Sequence, residues 1–139
     1  MATVDIRPFE EEDAEDIARL SSIVEWPSLT DPDVVRRMCT APGSVAYVAE
    51  EHADDPAEGT PGSLVGWAQA LGDGVLQSHL GFVAVHPDHR RRGIGRLLVV
   101  ATFQATRTKR MDLITDTAQG FYANFAHKRM TGFRIYPGA

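Results

Sequence analysis

The spacing of apolar residues changes along this chain, and the changes separate predicted strands from predicted helices. Stretches in which apolar residues alternate with polar ones, or run together for a few positions, predict strands. Stretches in which they recur every third or fourth position predict helices that bury one face. The strands fall at Val4–Pro8, Ser44–Glu51, Leu64–Leu71, Val75–Val85, Met111–Thr115 and Phe133–Tyr136, and the helices at Glu11–Val24, residues 32–41, residues 93–105 and Thr117–Phe125.

Turn-forming residues mark the boundaries between these elements. Asp31 and Pro32 are typical of a helix start, as N-cap and first helical residue. The sequence Gly72-Asp73-Gly74 predicts a tight turn between antiparallel strands. Residues 52–63 hold few apolar side chains and several prolines and glycines, so we expect a mobile connection there. Gly81 lies inside the fourth strand, where an isolated glycine often marks a bulge or a close ligand approach.

The transition from the fourth strand to the third helix carries the clearest chemical signal in the chain. Pro87 ends strand pairing, and the helix opens close to Gly93. The first amides of a helix lack partners within it and lie at the positive end of its dipole, so they attract anions. We therefore expect a cradle that suits a pyrophosphate. The residues of this cradle are Arg90, Arg91, Arg92, Gly93, Ile94, Gly95 and Arg96.

Two other uses of this stretch agree less well with the spacing. A dinucleotide-binding site of the Rossmann type requires Gly-x-Gly-x-x-Gly after the first strand, whereas Leu98 occupies the position of the third glycine here. A metal site would use His86 and His89, which can share a face. No third ligand stands at a supporting spacing, so we expect no metal.

Length and composition indicate one soluble domain. A chain of 139 residues can bury about two thirds of its unfolded surface in one core, so we expect residues 1–139 to form a single domain. No apolar run approaches the roughly 18 residues that a membrane span needs, and residues 1–5 lack the pattern of a secretory signal. The single cysteine, Cys39, fits a reducing compartment. These features predict a cytoplasmic protein that does not enter a membrane.

The net charge of −5 hides a division between the two halves of the chain. Residues 1–58 carry 15 acidic and 4 basic side chains, whereas residues 59–139 carry 4 acidic and 10 basic ones. The basic half suits a polyanionic ligand, and the acidic half would attract a cation such as an amine. Because the chain as a whole is acidic and its basic residues are not interleaved with aromatic ones, we do not expect nucleic-acid binding.

A known family shares the spacing of the anion cradle. The chain has Arg90-x-x-Gly93-x-Gly95, with Val85-x-Pro87 before it and Leu97-Leu98 after it. This pattern resembles the coenzyme A pyrophosphate loop of the GNAT acyltransferase superfamily. The resemblance implies an α/β (α+β) fold with a mixed, mostly antiparallel central sheet of about six strands, about four flanking helices and splayed central strands. It also implies acetyl-CoA as co-substrate, bound by the cradle residues and by the main chain of Val83, Ala84 and Val85.

A second stretch resembles the same superfamily. Tyr122 follows Ala118 by four positions, and a tyrosine at this position in the superfamily protonates the departing coenzyme A thiolate. A tyrosine hydroxyl has a higher pKa than a thiol, so the transfer needs a site that holds the two close together. On helical spacing alone, Tyr122 would be a core residue. The chain departs from the family pattern at Thr115, where asparagine is frequent, and at Ala126-His127, where Gly-Phe is usual.

An alkylammonium must lose a proton before its nitrogen can attack a thioester, so amine acetylation needs a base. His79 is the candidate, because alternation along the strand puts it on the face of Val83 and because imidazole titrates near neutral pH. His79-Leu80-Gly81 also resembles the arylalkylamine acetyltransferase branch, in which histidines here pass the amine proton to water. A half-buried structural histidine is an equal alternative, and Glu25 or a water chain could serve as the base instead.

The resemblance further implies that the first two helices and their connecting loop cover the acceptor site. Trp26 and Glu25 lie in that loop and are the candidate acceptor contacts. A packing role explains Trp26 equally well, since large aromatic side chains are usually buried.

The sequence thus predicts an acetyl-CoA-dependent N-acetyltransferase in which a primary amine attacks the thioester directly, without an acyl-enzyme. The acceptor is a small-molecule amine or a protein amine, and the sequence does not choose between them. The alternative is a non-catalytic acyl-CoA-binding sensor of the same fold. A short last strand would leave a sheet edge for a second subunit to cover, so a homodimer is an option.

Overall fold

The computed structural model describes residues 2–54 and 62–138. Over these residues the chain forms one sheet of five strands in the order β1-β2-β3-β4-β5, with four α-helices. The predicted α+β class is confirmed, with one strand fewer than expected. The strands are β1 (Thr3–Pro8), β2 (Ser44–His52), β3 (Ser63–Gly72), β4 (Gln77–Val85) and β5 (Arg110–Asp112), and the helices are α1 (Ala14–Ile23), α2 (Pro32–Cys39), α3 (Ile94–Thr106) and α4 (Gln119–Tyr122).

Strands β4 and β5 diverge, which opens the sheet at one end. Neighbouring strands are antiparallel from β1 to β4, and the last pair is parallel. β5 pairs with β4 from Gln77↔Arg110 to His79↔Asp112. β4 then continues to Val85 without a strand partner on that side among the described residues. The mostly antiparallel sheet with splayed strands agrees with the prediction.

The two faces of the sheet carry separate apolar cores. On one face, here called the α1–α2 face, the first two helices cover Trp67 and Val48. On the other, the α3 face, Ile94 and Leu98 pack against Ala68. Trp67 and Leu98 are fully buried. Because both faces of the sheet are covered, β2 and β3 are apolar on both sides.

An ion-pair network ties the first helix to the strands. Arg7 of β1 donates to both carboxylate oxygens of Asp13, at 2.9 and 2.8 Å, and to Glu50 of β2 at 3.0 and 2.7 Å. The hydrogen bond to Asp13 raises the pKa of Arg7, so the guanidinium stays charged. Asp13 also accepts the N–H of Glu10 at 2.8 Å. The helix predicted from Glu11 therefore starts as a single 3-10 turn, and α1 follows from Ala14.

Two predicted boundaries are wrong for local reasons. β4 begins at Gln77 and not at Val75, because the carboxylate of Asp73 accepts the N–H groups of Val75 and Leu76 at 2.7 Å each and keeps both residues in the turn. α4 begins two residues after the predicted Thr117, because Thr115 Oγ1 accepts the N–H of Ala118 at 3.0 Å and holds the preceding residues in a turn, and it ends at Tyr122, before the predicted Phe125.

The strand predicted at Phe133–Tyr136 is absent. The described residues from 126 to 138 contain no helix or strand, and Phe133 and Ile135 are 80% and 77% exposed. The segment approaches the chain just after β5, since a Cβ built on Gly132 would lie 3.4 Å from Ile114 Cγ1, but it pairs with no described strand. Alternating apolar residues form a strand only where a neighbouring edge pairs with their backbone groups. Among the described residues, β5 is therefore the edge of the sheet.

The connection predicted at residues 52–63 is shorter at both ends. β2 extends to His52 and β3 begins at Ser63. Residues 55–61, the middle of this connection, lie outside the described residues. No helix in the described part of the chain is long and apolar enough to cross a membrane.

Candidate active site

The start of α3 faces open space. Gly93 is its N-cap residue, with a φ of 78°, a left-handed conformation that glycine adopts without strain. A Cβ at Gly93 would meet no atom within 4 Å. The N–H of Leu97 donates to Gly93 O at 3.1 Å, and the amides before it belong to the first turn, which has no acceptors within the helix. An anion can therefore approach these amides, which fits the pyrophosphate of coenzyme A.

Two of the arginines beside this helix are held by neighbouring groups. Arg90 donates Nε–H to the carbonyl of Val85 at 3.2 Å. Arg92 donates to the Glu51 carboxylate at 2.7 Å and lies 3.0 Å from His89 Nδ1. The hydrogen bond from Arg92 lowers the pKa of Glu51, so this carboxylate stays ionised near neutral pH. Sequence reasoning missed Glu51, because its pairing with the loop depends on where β2 ends.

Of the other two arginines, one makes no polar contact with the described residues and one packs on an aromatic ring. Arg91 is exposed, has a φ of 64° and makes no ion pair or hydrogen bond with the described residues. Arg96 places its guanidinium carbon 4.6 Å from the centre of the Phe125 ring and donates to Asn124 O at 3.4 Å. Together with Arg90 and Arg92 they put four positive charges around one helix start.

The open edge of β4 presents its main chain to the gap. The N–H of His86 donates to Val65 O of β3 at 2.8 Å. Since backbone groups alternate in direction along a strand, Val83 and Val85 turn theirs away from β3, toward the side that β5 leaves free. The contact of Arg90 with Val85 O agrees with this direction. Ala84, in contrast, buries its side chain in the core of the α1–α2 face.

Gly81 forms the predicted bulge, and the bulge changes which side chains share a face. Two consecutive residues of β3 pair with Leu80 and Phe82, so Gly81 between them is the extra residue. Leu80 and Val83 both pack on the α3 face, whereas Phe82 packs on the α1–α2 face. His79 precedes Leu80 and therefore lies on the α1–α2 face. The prediction that His79 shares the face of Val83 is wrong, because it assumed a regular strand.

His79 is exposed beside an open depression of about 470 Å³. Asp112 is its register partner on β5, and Leu71 is its partner on β3. Both partners line the same depression, together with Asp73. An imidazole and two carboxylates thus border this open depression of the surface.

The loop between α1 and α2 adds aromatic side chains to this face. The Trp26 and Phe82 rings lie 5.3 Å apart, and Phe82 stacks on Trp67 at 5.9 Å. Glu25 precedes Trp26 and has a φ of 63°, a conformation that is uncommon for a residue other than glycine and often occurs at functional sites. Both acceptor candidates, Trp26 and Glu25, therefore lie in a loop that reaches the face of His79.

Tyr122 lies on the other face of β4. It is half-buried in a cluster with Leu80 and Val83, and its ring centroid is 4.8 Å from that of Phe121. Burial raises the pKa of Tyr122, so the hydroxyl stays protonated. No described residue forms a hydrogen bond with this hydroxyl. Phe121 holds α4 against the start of α3, since a Cβ built on Gly95 would lie 3.2 Å from its ring.

Two loop histidines use their ring nitrogens within the loop. His86 Nδ1 accepts the N–H of Asp88 at 3.1 Å, and His89 Nδ1 faces Arg92. Their ring centroids are 5.5 Å apart. The described residues contain no group of three His, Cys, Asp or Glu side chains arranged to hold a metal ion.

Comparison with protein-family models matches residues 42–126 to the family described as an acetyltransferase (GNAT) domain. The match covers more than half of the chain and runs from the start of β2 to just beyond α4. A search of curated protein sequences found no significant match.

Several solved structures share the fold. An acetyltransferase from Trypanosoma brucei aligns over 96% of this chain and 100% of its own, with 21% identity and a TM-score of 0.67. An aminoglycoside N-acetyltransferase in complex with CoA aligns over 99% and 97%, with 18% identity and a TM-score of 0.72. A ribosomal-protein-alanine N-acetyltransferase from Brucella melitensis aligns over 96% and 98%, with 18% identity and a TM-score of 0.70. At these identities the likeness concerns the fold alone.

Proposed function

Because this chain belongs to the GNAT acetyltransferase family, we propose that it transfers the acetyl group of acetyl-CoA to a primary amine by direct attack within a ternary complex. Acetyl transfer follows from the family, whereas the donor, the class of acceptor and the mechanism are proposed here. One observation carries the proposal: beyond His79, β4 has an open edge, with Tyr122 on its α3 face and His79 on its α1–α2 face.

The donor end of the site suits coenzyme A. Acetyl-CoA supplies the acetyl group as an activated thioester. The amides at the start of α3 and the surrounding arginines would bind its pyrophosphate; these residues are Arg90, Arg91, Arg92, Gly93, Ile94, Gly95 and Arg96. The outward main-chain groups of Val83 and Val85 would pair with the pantetheine arm, with Ala84 between them supporting the strand from the core.

The group that accepts a proton from the substrate and the group that donates one to the leaving thiolate lie on opposite faces of β4. His79 accepts a proton from the substrate ammonium, which frees the nitrogen lone pair. The nitrogen then bonds to the thioester carbon, the C–S bond breaks, and Tyr122 gives its hydroxyl proton to the departing sulfur. The surplus proton on the nitrogen and the proton held by His79 leave to solvent, and solvent returns one proton to Tyr122. A main-chain N–H on the open edge of β4 would stabilise the negative charge that develops on the carbonyl oxygen.

The acceptor enters from the α1–α2 face. Trp26 would contact its apolar part, and the acidic side chain of Glu25 would attract its positive charge. Two structural neighbours are named for a small-molecule acceptor and a protein acceptor, an aminoglycoside and a ribosomal-protein alanine. Both names are compatible with an amine acceptor for this chain, and neither selects its size.

Two successive measurements on one sample test this function. Thermal unfolding is followed with and without acetyl-CoA, because a ligand of the native state raises its stability by mass action. Thiol release is then measured with 2-phenylethylamine, spermidine and a tripeptide with a free N-terminus. A higher unfolding temperature with amine-dependent thiol release supports the transferase. A higher temperature without release from any amine indicates an acyl-CoA-binding sensor, and no change at saturating acetyl-CoA contradicts both.

A further inference from the structure

Gln69 is a buried polar residue in the otherwise apolar strand β3. Its side chain is held in place, because Nε2 donates to Ser44 Oγ at 3.0 Å and to Ala70 O at 3.4 Å. The residue is only 6% exposed. With both donor contacts on Nε2, the orientation of the amide is fixed and Oε1 is directed away from them.

The amide oxygen of Gln69 lies against the bulge of β4. A Cβ built on Gly81 would be 2.4 Å from Oε1, closer than side chains pack, so glycine is what admits the oxygen here. No described residue donates a hydrogen bond to Oε1. The fully buried side-chain polar atoms without a partner in the described part of the chain are Trp67 Nε1 and Thr102 Oγ1. Oε1 is not one of them, and it therefore still reaches solvent.

Register puts Gln69 on the same face of the sheet as the groups assigned to the acceptor. Gln69 pairs with Phe82, and Leu71, two residues further along β3, pairs with His79. Gln69 therefore shares the α1–α2 face with His79 and with the Trp26–Phe82 aromatic pair. Because Oε1 reaches solvent and has no donor among the described residues, it is an acceptor that an N–H group of a ligand on this face can use.

We propose that Gln69 Oε1 is a substrate-binding group that accepts an N–H of the acceptor amine and holds the nitrogen beside His79. The inference rests on the proposed amine acetylation. An ammonium that gives one proton to His79 keeps two N–H groups, so one can bond to Oε1 while the lone pair faces the thioester. An alcohol that gives its only O–H proton to His79 has no donor left for Oε1. Gln69 would therefore favour amines over alcohols as acceptors.

Replacement by methionine tests the oxygen directly. Gln69→Met keeps the length of the side chain and removes the acceptor. We expect the KM for the best amine of the three-member panel to rise about ten-fold or more, the usual cost of a lost hydrogen bond to a charged group. The Kd for acetyl-CoA should stay as in the unsubstituted protein, because Gln69 lies on the other face from the coenzyme A loop. Ser44→Ala is the matched control, since it removes the same tether between β2 and β3 but leaves Oε1.

The outcomes separate the inference from the proposed function. A raised KM in Gln69→Met with a smaller change in Ser44→Ala supports the role of Oε1. Equal amine KM values in Gln69→Met and the unsubstituted protein, or equal increases in both variants, overturn it and leave the transferase intact. Failure of the unsubstituted protein to release thiol with any of the three amines overturns the proposed function, and the inference with it.

A second readout does not depend on turnover or on the variant folding. The side-chain amide signals of Gln69 are followed by NMR in the unsubstituted protein, without acetyl-CoA, while 2-phenylethylamine is added. We expect these signals to shift, with Asn124, whose amide donates to Gly120 O, as an unaffected control. If Gln69→Met does not fold, an unshifted Gln69 amide at saturating amine overturns the proposal, and a saturable shift supports it.

Discussion

The side chain of Tyr122 is positioned by ring contacts, and its hydroxyl makes no hydrogen bond with the described residues. Its ring packs with Phe121 at 4.8 Å and with Phe125 at 6.3 Å, while its hydroxyl has no partner among the described residues. Removing the hydroxyl should therefore leave the packing of α4 unchanged. A substitution that removes only the hydroxyl of Tyr122 therefore tests its proposed role as general acid without disturbing the packing of its ring.

For Tyr122→Phe we expect kcat to fall by roughly 100-fold, at the lower end of general acid catalysis, with an unchanged Kd for acetyl-CoA. Because burial raises the pKa of Tyr122, the hydroxyl remains a proton donor until the pH rises above the ordinary tyrosine value of about 10. The kcat of the unsubstituted protein should decline as the pH rises through that raised pKa, and the variant should lack this decline. A kcat for Tyr122→Phe equal to that of the unsubstituted protein would remove Tyr122 from the mechanism.

At the scale of single residues, the sequence predicts those whose role follows from local spacing. The arginines and glycines before α3 and the position of Tyr122 come from motifs that span a few residues. Gln69 and Glu51 were not found, because their partners lie far away in sequence and depend on strand register. For Gln69 a signal existed, a lone polar residue in the apolar run of β3, but its meaning needed the position of the bulge.

Among the elements, the bulge in β4 and the divergence of β5 determine the site. The position of Gly81 predicts a bulge, but regular alternation does not include the change of face at the bulge that separates His79 from Val83. The starts of β4 and α4 lie later than predicted, because the side chains of Asp73 and Thr115 accept hydrogen bonds from neighbouring backbone N–H groups. These hydrogen bonds depend on side-chain rotamers, which the hydrophobic pattern of the sequence does not predict.

Gly81→Ala tests the close approach at the bulge. The added Cβ would lie 2.4 Å from Gln69 Oε1, so the Gln69 amide must shift away from the bulge. We expect the free energy of unfolding to fall by about 1–3 kcal/mol, the usual cost of overpacking, in urea denaturation. Gly120→Ala in α4 is the control, since its Cβ would meet nothing within 4 Å and it should not lower stability. Equal effects of the two changes would mean that the bulge is not tightly packed.

Two arginines at opposite ends of α3 test the anion cradle. Arg91 and Arg107 are both exposed, with left-handed φ values of 64° and 57°, and α3 separates them by about 20 Å at 1.5 Å per residue. Arg91→Glu should raise the Kd for CoA about ten-fold at low salt, and the effect should shrink in 1 M salt, where screening is strong. Arg107→Glu changes the net charge equally but should leave the Kd nearly unchanged. Equal weakening by both would indicate a general field effect without a specific cradle.

At the scale of the whole molecule, the C-terminal segment differs most from the prediction. Residues 126–138 make no backbone hydrogen bonds with other described residues, and they expose the side chains of Phe133, Ile135 and Tyr136. A strand at these residues needs a neighbouring strand that pairs with its backbone groups, and the described residues supply none there. The fold class was predictable because the order of strands and helices is encoded in local periodicity, whereas this segment depends on long-range pairing.

Limited trypsin digestion reports whether this segment is covered in solution. The segment contains Lys128, Arg129 and Arg134, and an exposed backbone without hydrogen bonds is a preferred site of cleavage. We expect the first cuts after these residues, before any cut in the Arg90–Arg92 loop, with the fragments identified by mass spectrometry. Resistance to cleavage together with a dimeric mass in sedimentation equilibrium would instead indicate that a second copy covers the segment.

We expect a primary amine to attack acetyl-CoA directly across the open edge of β4. Initial rates of thiol release, measured while both acetyl-CoA and the best amine of the panel are varied, test it most directly. A ternary complex predicts double-reciprocal lines that intersect, together with an N-acetylated product detected by mass. Parallel lines would show an acyl-enzyme intermediate and contradict direct attack, and thiol release independent of every amine would contradict the transfer itself.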